Sequence, residues 1–185
     1  MKIQVSFIAS LLCFTAISTA SAVSLNVTTS HTIGSTQTHN YDSNADVSGI
    51  YASGTGGTIT SNYDLSANGN YNNLSSTNPS GVYASSGGRI GFASYIGGLT
   101  LTTNSNAGSG ILASDMFSNI TISNFNVIAN GNDYGGIQAN THGVINISSS
   151  NGNNKVTANI NATSGIHAGS HSNITITNMD VEAIG

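Results

Sequence analysis

Gly110-Ile111-Leu112-Ala113 and Gly136-Ile137-Gln138-Ala139 are two copies of one unit, Gly-(Ile/Val)-x-Ala. Three more copies stand at Gly49-Ile50-Tyr51-Ala52, Gly81-Val82-Tyr83-Ala84 and Gly165-Ile166-His167-Ala168. In chain order the five glycines lie 32, 29, 26 and 29 residues apart. A period in the range of about 20–50 residues marks a solenoid or an array rather than a closed globular fold.

Two further stretches follow each unit in fixed order. The second is Thr58-Ile59-Thr60 in weak form, then Ile90/Phe92, Ile120/Ile122, Ile145/Ile147 and Ile174/Ile176. The third is Tyr63/Leu65/Ala67, Leu99/Leu101, Phe125/Val127/Ala129, Val156/Ala158 and Met179/Val181/Ala183. Apolar residues two apart with polar ones between them have strand periodicity, one face dry and one wet. Gly56-Gly57, Gly87-Gly88, Gly97-Gly98, Asn68-Gly69, Asn130-Gly131 and Asn151-Gly152 punctuate the strands with residues that tolerate positive φ. The single proline, Pro79, lies in the Asn/Ser-rich insertion from about Asn68 to Ser80, outside any predicted strand.

Three one-sided strands per turn make a triangular coil, and stacked coils bring parallel strands to about 4.8 Å. The prediction is an all-β chain. It forms a right-handed single-stranded parallel β-helix of about five coils, the hand following the general rule for parallel crossovers. Ile50, Val82, Ile111, Ile137 and Ile166 form one inward column, and the unit's alanines form its neighbour. A left-handed β-helix needs a hexapeptide period and a calcium-binding β-roll needs G-G-x-G-x-D-x-U-x; neither is present. Propeller blades run longer than these units. An antiparallel sandwich does not explain three strand types recurring in one order.

The ends differ from the repeats. Residues 1–22 have a basic start, an apolar centre around Phe7 to Phe14 and an Ala20-Ser21-Ala22 site, the pattern of a secretory signal peptide cleaved between Ala22 and Val23. The apolar centre is shorter than the ~20 residues that span a bilayer. Residues 23–48 read as an N-terminal capping segment and 49–185 as the repeats. Met179 to Gly185 matches Phe125 to Gly131, so the chain stops where the next Gly-Ile-x-Ala is due. An uncapped coil leaves an open strand edge. The expectation is therefore a truncated solenoid, the first part of a longer protein or a shortened gene product.

Composition narrows the function classes. After residues 1–22, Arg89 and Lys155 are the fixed cations against 7 acidic residues. Such a surface lacks the clustered Lys and Arg that nucleic acid or anionic lipid requires. The sole cysteine, Cys13, lies in the signal, so the exported chain has neither disulfides nor a thiol nucleophile.

These features together resemble the passenger of a bacterial autotransporter, of the pertactin-like β-helical type exported by type V secretion. The quoted repeat units carry the likeness, which covers most of the chain after Val23. The resemblance implies export across the inner membrane and anchoring by a C-terminal barrel in the outer membrane. It also implies a cell-surface role in adhesion, aggregation, biofilm growth or virulence, with a host or bacterial glycan or protein as partner. These 185 residues contain no barrel pattern of ten-residue alternating strands. The barrel is expected elsewhere, and without one the chain ends in the periplasm or is secreted. A fragment of a β-helical carbohydrate-active enzyme and a non-functional truncated product are the alternatives.

No constellation points to catalysis, to a cofactor or to a metal. His167 and His171 have helical metal spacing, but a strand followed by a turn does not put them on one face, and zinc needs three or four convergent ligands. Asp180 and Glu182 read as a solvated face rather than a glycosidase pair. There is no G-x-S-x-G elbow, and the G-D-S-G of serine-protease passengers is missing. The N-x-S/T sites at Asn26, Asn73, Asn119, Asn146, Asn161 and Asn173 follow from Asn- and Thr-rich strands. The candidate binding feature is the outward column Tyr51, Tyr83, Leu112, Gln138, His167. Tyr51 stacked on Tyr83 would give a flat aromatic platform of a kind that suits sugars or proteins. Ordinary cross-strand pairing accounts for the same column.

Overall fold

The computed structural model describes residues 25–28, 30–33, 39–40, 48–55, 57–61, 64–68, 79–95 and 98–184. The signal segment, its Ala22–Val23 cleavage point, and residues 41–47 and 69–78 lie outside the described residues. Among the described residues the architecture is all-β, built from three parallel sheets of six strands each.

The first sheet stacks β1 (Leu25–Val27), β4 (Ile50–Ser53), β7 (Val82–Ser85), β10 (Ile111–Ser114), β13 (Gly135–Asn140) and β16 (Ser164–Ala168). The second stacks β2 (Ser30–Ile33), β5 (Thr58–Ser61), β8 (Arg89–Ala93), β11 (Asn119–Ser123), β14 (Val144–Ser148) and β17 (Asn173–Thr177). The third stacks β3 (His39–Asn40), β6 (Leu65–Ser66), β9 (Leu99–Thr102), β12 (Phe125–Ile128), β15 (Lys155–Asn159) and β18 (Asp180–Ile184). Each strand pairs with the one three places along the chain, so every coil contributes one strand to each sheet. From the first glycine unit to the fifth the solenoid completes about 4 turns, slightly fewer than the five coils expected. Strands β1, β2 and β3 pair in parallel with β4, β5 and β6, so they form a rung of the same solenoid.

Register follows the repeat. Ile50, Val82, Ile111, Ile137 and Ile166 are paired in turn along the first sheet, and so are Ala52, Ala84, Ala113, Ala139 and Ala168. The first four isoleucine-column residues are fully buried. Ile90, Ile120 and Ile145 from the second sheet and Leu101, Val127 and Val156 from the third complete the interior. Phe92 and Phe125 meet inside it with ring centroids 6.3 Å apart. Burying one such side chain contributes about 1.5–3 kcal/mol, and the column repeats that gain coil by coil. In the last rung the third-sheet column continues at Val181, which is 50% exposed.

The repeated glycine has a steric cause. A Cβ at Gly110 would lie 2.7 Å from the Gly136 carbonyl oxygen, 2.8 Å from Thr103 Oγ1 and 2.9 Å from Ala129 Cβ. The glycines stack carbonyl on Cα from coil to coil, and no larger residue fits between the third sheet and the first.

Polar ladders pin the corners. Asn106 donates from its backbone N and Nδ2 to Asn132 Oδ1 at 3.1 and 2.9 Å, and Asn132 repeats this toward Asn161 Oδ1 at 3.0 and 2.9 Å. All three asparagines are buried. A second ladder joins Asn68, Asn104, Asn130 and Asn159, each Oδ1 accepting the next backbone N–H at 2.6, 2.8 and 2.7 Å. In a third, Ser48 Oγ accepts the Ser80 N–H and Ser80 Oγ accepts the Ser109 N–H, at 3.0 and 3.2 Å. These bonds satisfy backbone groups that the corners take out of the sheets.

Candidate surface site on the first sheet

The outward side chains of the first sheet form a column of six rungs: Asn26, Tyr51, Tyr83, Leu112, Gln138 and His167. Alternation along each strand puts them on the opposite face from the Ile and Ala columns. Tyr51 and Tyr83 stack, with centroids 5.1 Å apart and planes 28° from parallel. The stacking of Tyr51 on Tyr83 is the one the repeat register predicts. The rings lie on one another along the solenoid axis, so their facing sides are mutually covered. Tyr51 Oη shares a hydrogen bond of 2.8 Å with Ser85 Oγ, which ties the ring to the next coil. Burial pushes the Tyr83 phenol above its ordinary pKa, and the Asp115 carboxylate and Tyr51 add to the rise.

One rung further on, the surface opens into a groove of about 240 Å³. Half-buried Leu112 lines it together with Tyr134, Gln138, Asn140, Ser80 and Ser109. The groove arises from the corner column. Backbone bonds run from Gly108 N to Pro79 O and from Tyr134 N to Gly108 O, which stacks Pro79, Gly108 and Tyr134. Gly108 brings no side chain to this stack, and Tyr134, 45% exposed, stands beside the gap. Gln138 is oriented by Ser109, whose hydroxyl donates to Oε1 at 2.7 Å. The repeat unit exposed Leu112 and Gln138 to sequence reasoning. Tyr134 was missed because it lies in a corner, where its only sequence signal is its place directly before Gly135-Gly136.

The other residues singled out in the sequence are scattered. His167 points outward and is exposed, and it does not meet His171. His171 instead stacks on His142 of the previous coil, centroids 5.1 Å apart and planes 8° from parallel. Both imidazoles sit at one corner position, one coil apart, a neighbour relation visible only once the coils are stacked. Among the described residues no group of three or more His, Cys, Asp and Glu is placed to hold a metal. Asp180 and Glu182 share the exposed side of β18, and Glu182 pairs with Lys155 across the strands at 2.6 Å. That hydrogen bond from Lys155, with a second from Asn159, holds the Glu182 carboxyl below the usual range. Asn161, one of the N-x-S/T positions, is 3% exposed within its ladder and so is closed to a glycan-transferring enzyme. No known protein family, curated protein or solved structure matches this chain, so the solenoid and its surface are the ground on which function is argued.

Proposed function

We propose that this chain is an exported surface-interaction protein, part of a β-helical passenger of the autotransporter kind, serving adhesion or aggregation rather than catalysis. The observation that carries this reading is the division of labour in the first sheet. The inward Ile and Ala columns are fully buried from Ile50 to Ala139, while the outward face shows aromatic, amide and hydroxyl groups over six rungs. A rigid, flat, sparingly charged face built from many coils offers contact area without an activated nucleophile or a paired acid and base. Local coil-by-coil stacking also suits folding after passage through a pore, because each rung docks on its predecessor.

The test is saturable binding of the purified chain to bacterial or host cells, with removal of residues 1–22 checked by N-terminal sequencing. Binding together with a mature start at Val23 is the expected result. Turnover of a polysaccharide would replace this reading with the enzyme one, and absence of binding to any cell surface would overturn it.

A further inference from the structure

We infer that the groove beside Leu112 and Tyr134 is a binding site for a neutral sugar residue of a surface glycan. The inference rests on the interaction reading and names its ligand class. None of the residues lining the groove carries a charge, so a phosphate, carboxylate or ammonium group finds no ion pair there. What the groove offers is apolar surface beside carboxamides. Leu112 and the exposed Tyr134 ring supply the apolar contact. Gln138 and Asn140 supply carboxamides that both donate and accept, while Ser80 and Ser109, 1% and 2% exposed, hold the ladder and Gln138 in place beneath them. A pyranose has this dual character, with a C–H face that packs on an aromatic ring and hydroxyls around its rim.

The polar groups are partly arranged in advance. Ser109 holds Gln138 by Oε1 at 2.7 Å, leaving Nε2 to donate elsewhere. Nε2 reaches only Asn140 Oδ1, at 3.5 Å, a weak bond that a ligand hydroxyl displaces at small cost. The volume of about 240 Å³ falls below the ~300–1,000 Å³ of enclosed small-molecule pockets. It therefore takes one ring of a longer chain, not a whole oligosaccharide. The Tyr51–Tyr83 pair lies outside this groove, its facing ring sides occupied by each other.

The experiment screens the chain on an array of neutral gluco-, galacto- and manno-configured oligosaccharides, with sialylated and sulfated ones beside them. It then measures affinity for the best neutral probe by calorimetry. Tyr134→Ala and Gln138→Leu should each weaken binding by about tenfold, and Tyr51→Ala should leave it unchanged. Matching melting curves show that the variants are folded. Cell binding is measured in parallel, before and after periodate oxidation of the cell-surface sugars. A blank array, binding confined to charged glycans, or indifference to both groove variants would overturn the assignment. If cell binding then persists on periodate-treated cells, only the sugar site falls and the interaction reading stands. If no cell is bound at all, both fall.

Discussion

The corner that leads into the first sheet and the corner that leads out of it turn the chain with different shares of side chain and backbone. On the way in, an exposed positive-φ residue (Ser105, Gly131 or Ile160) is followed by a buried asparagine (Asn106, Asn132 or Asn161) that hydrogen-bonds through its side chain, and Gly110 leaves no room for a Cβ. On the way out, the turn is carried by backbone conformation, at tips that are exposed except at Gly87. Ser86 and Gly87, Thr141 and His142, and Ser170 and His171 all have positive φ. Hydrogen bonds of 2.8, 2.9 and 3.1 Å close these turns from Gly88, Gly143 and Ser172 back to Ser85, Asn140 and Gly169. Two successive positive φ values with such a closing bond match a type I′ turn. The long copy inserts one residue, Met116, between Asp115 and Phe117, both again at positive φ. The buried position of the entry corner thus holds one residue type, asparagine, in three successive coils, whereas the exit tip accepts Gly87, Phe117, His142 or His171 at one position.

The comparison breaks most visibly at the glycine. Gly110→Ala should cost about 3 kcal/mol or more in urea denaturation, because the new methyl meets a carbonyl oxygen that is itself fixed in the next coil. Tolerance of alanine there would mean that the coils are not stacked as described. Asn132→Ala should cost about 2–4 kcal/mol by the same measurement, since it removes the shared acceptor of the Asn106 backbone and side chain and strands those donors in the interior. Asn132→Asp should not restore the loss, because it cannot donate to Asn161.

At the exposed corner the effects should shrink. His142→Gly relieves a left-handed conformation worth about 1–2 kcal/mol and forfeits ring stacking worth about 0.5–1.5 kcal/mol. The net change should stay within about 1 kcal/mol either way, read from paired melting curves. A loss as large as that of Asn132→Ala would erase the distinction between the corners.

The smallest effect is alkaline. The Tyr83 phenol is raised by burial, with Asp115 of the second corner contributing. A raised acid keeps its proton in the folded state while the unfolded chain loses it. Its contribution is therefore complete below pH 10.0, the ordinary tyrosine value, and fades as the pH climbs through the raised one. Tyr83→Phe should flatten the fall in melting temperature above pH 10.0, and Asp115→Asn should reduce it in part.

Much of this architecture was legible because the solenoid repeats it. Ile111 and Ile137 each sit in a Gly-Ile-x-Ala unit, and alternation assigned them inside and Leu112 and Gln138 outside, as the coordinates have them. The asparagine ladder was present in the text as well, Asn106, Asn132 and Asn161 each standing four residues before a unit glycine. Nothing local to those asparagines tells a buried ladder from a solvated loop. The groove was less legible still. It depends on Gly108 lying between Pro79 and Tyr134 in space, residues 29 and 26 positions away.

By itself the sequence determined the strand period, the order of three strand types and which side of each strand is dry, because these depend on spacing along one chain. The tertiary structure alone decided that His142 meets His171 and that a groove opens beside Tyr134. Those outcomes turn on the contact of neighbouring coils, where unequal corner lengths set which side chains overlap and which leave space.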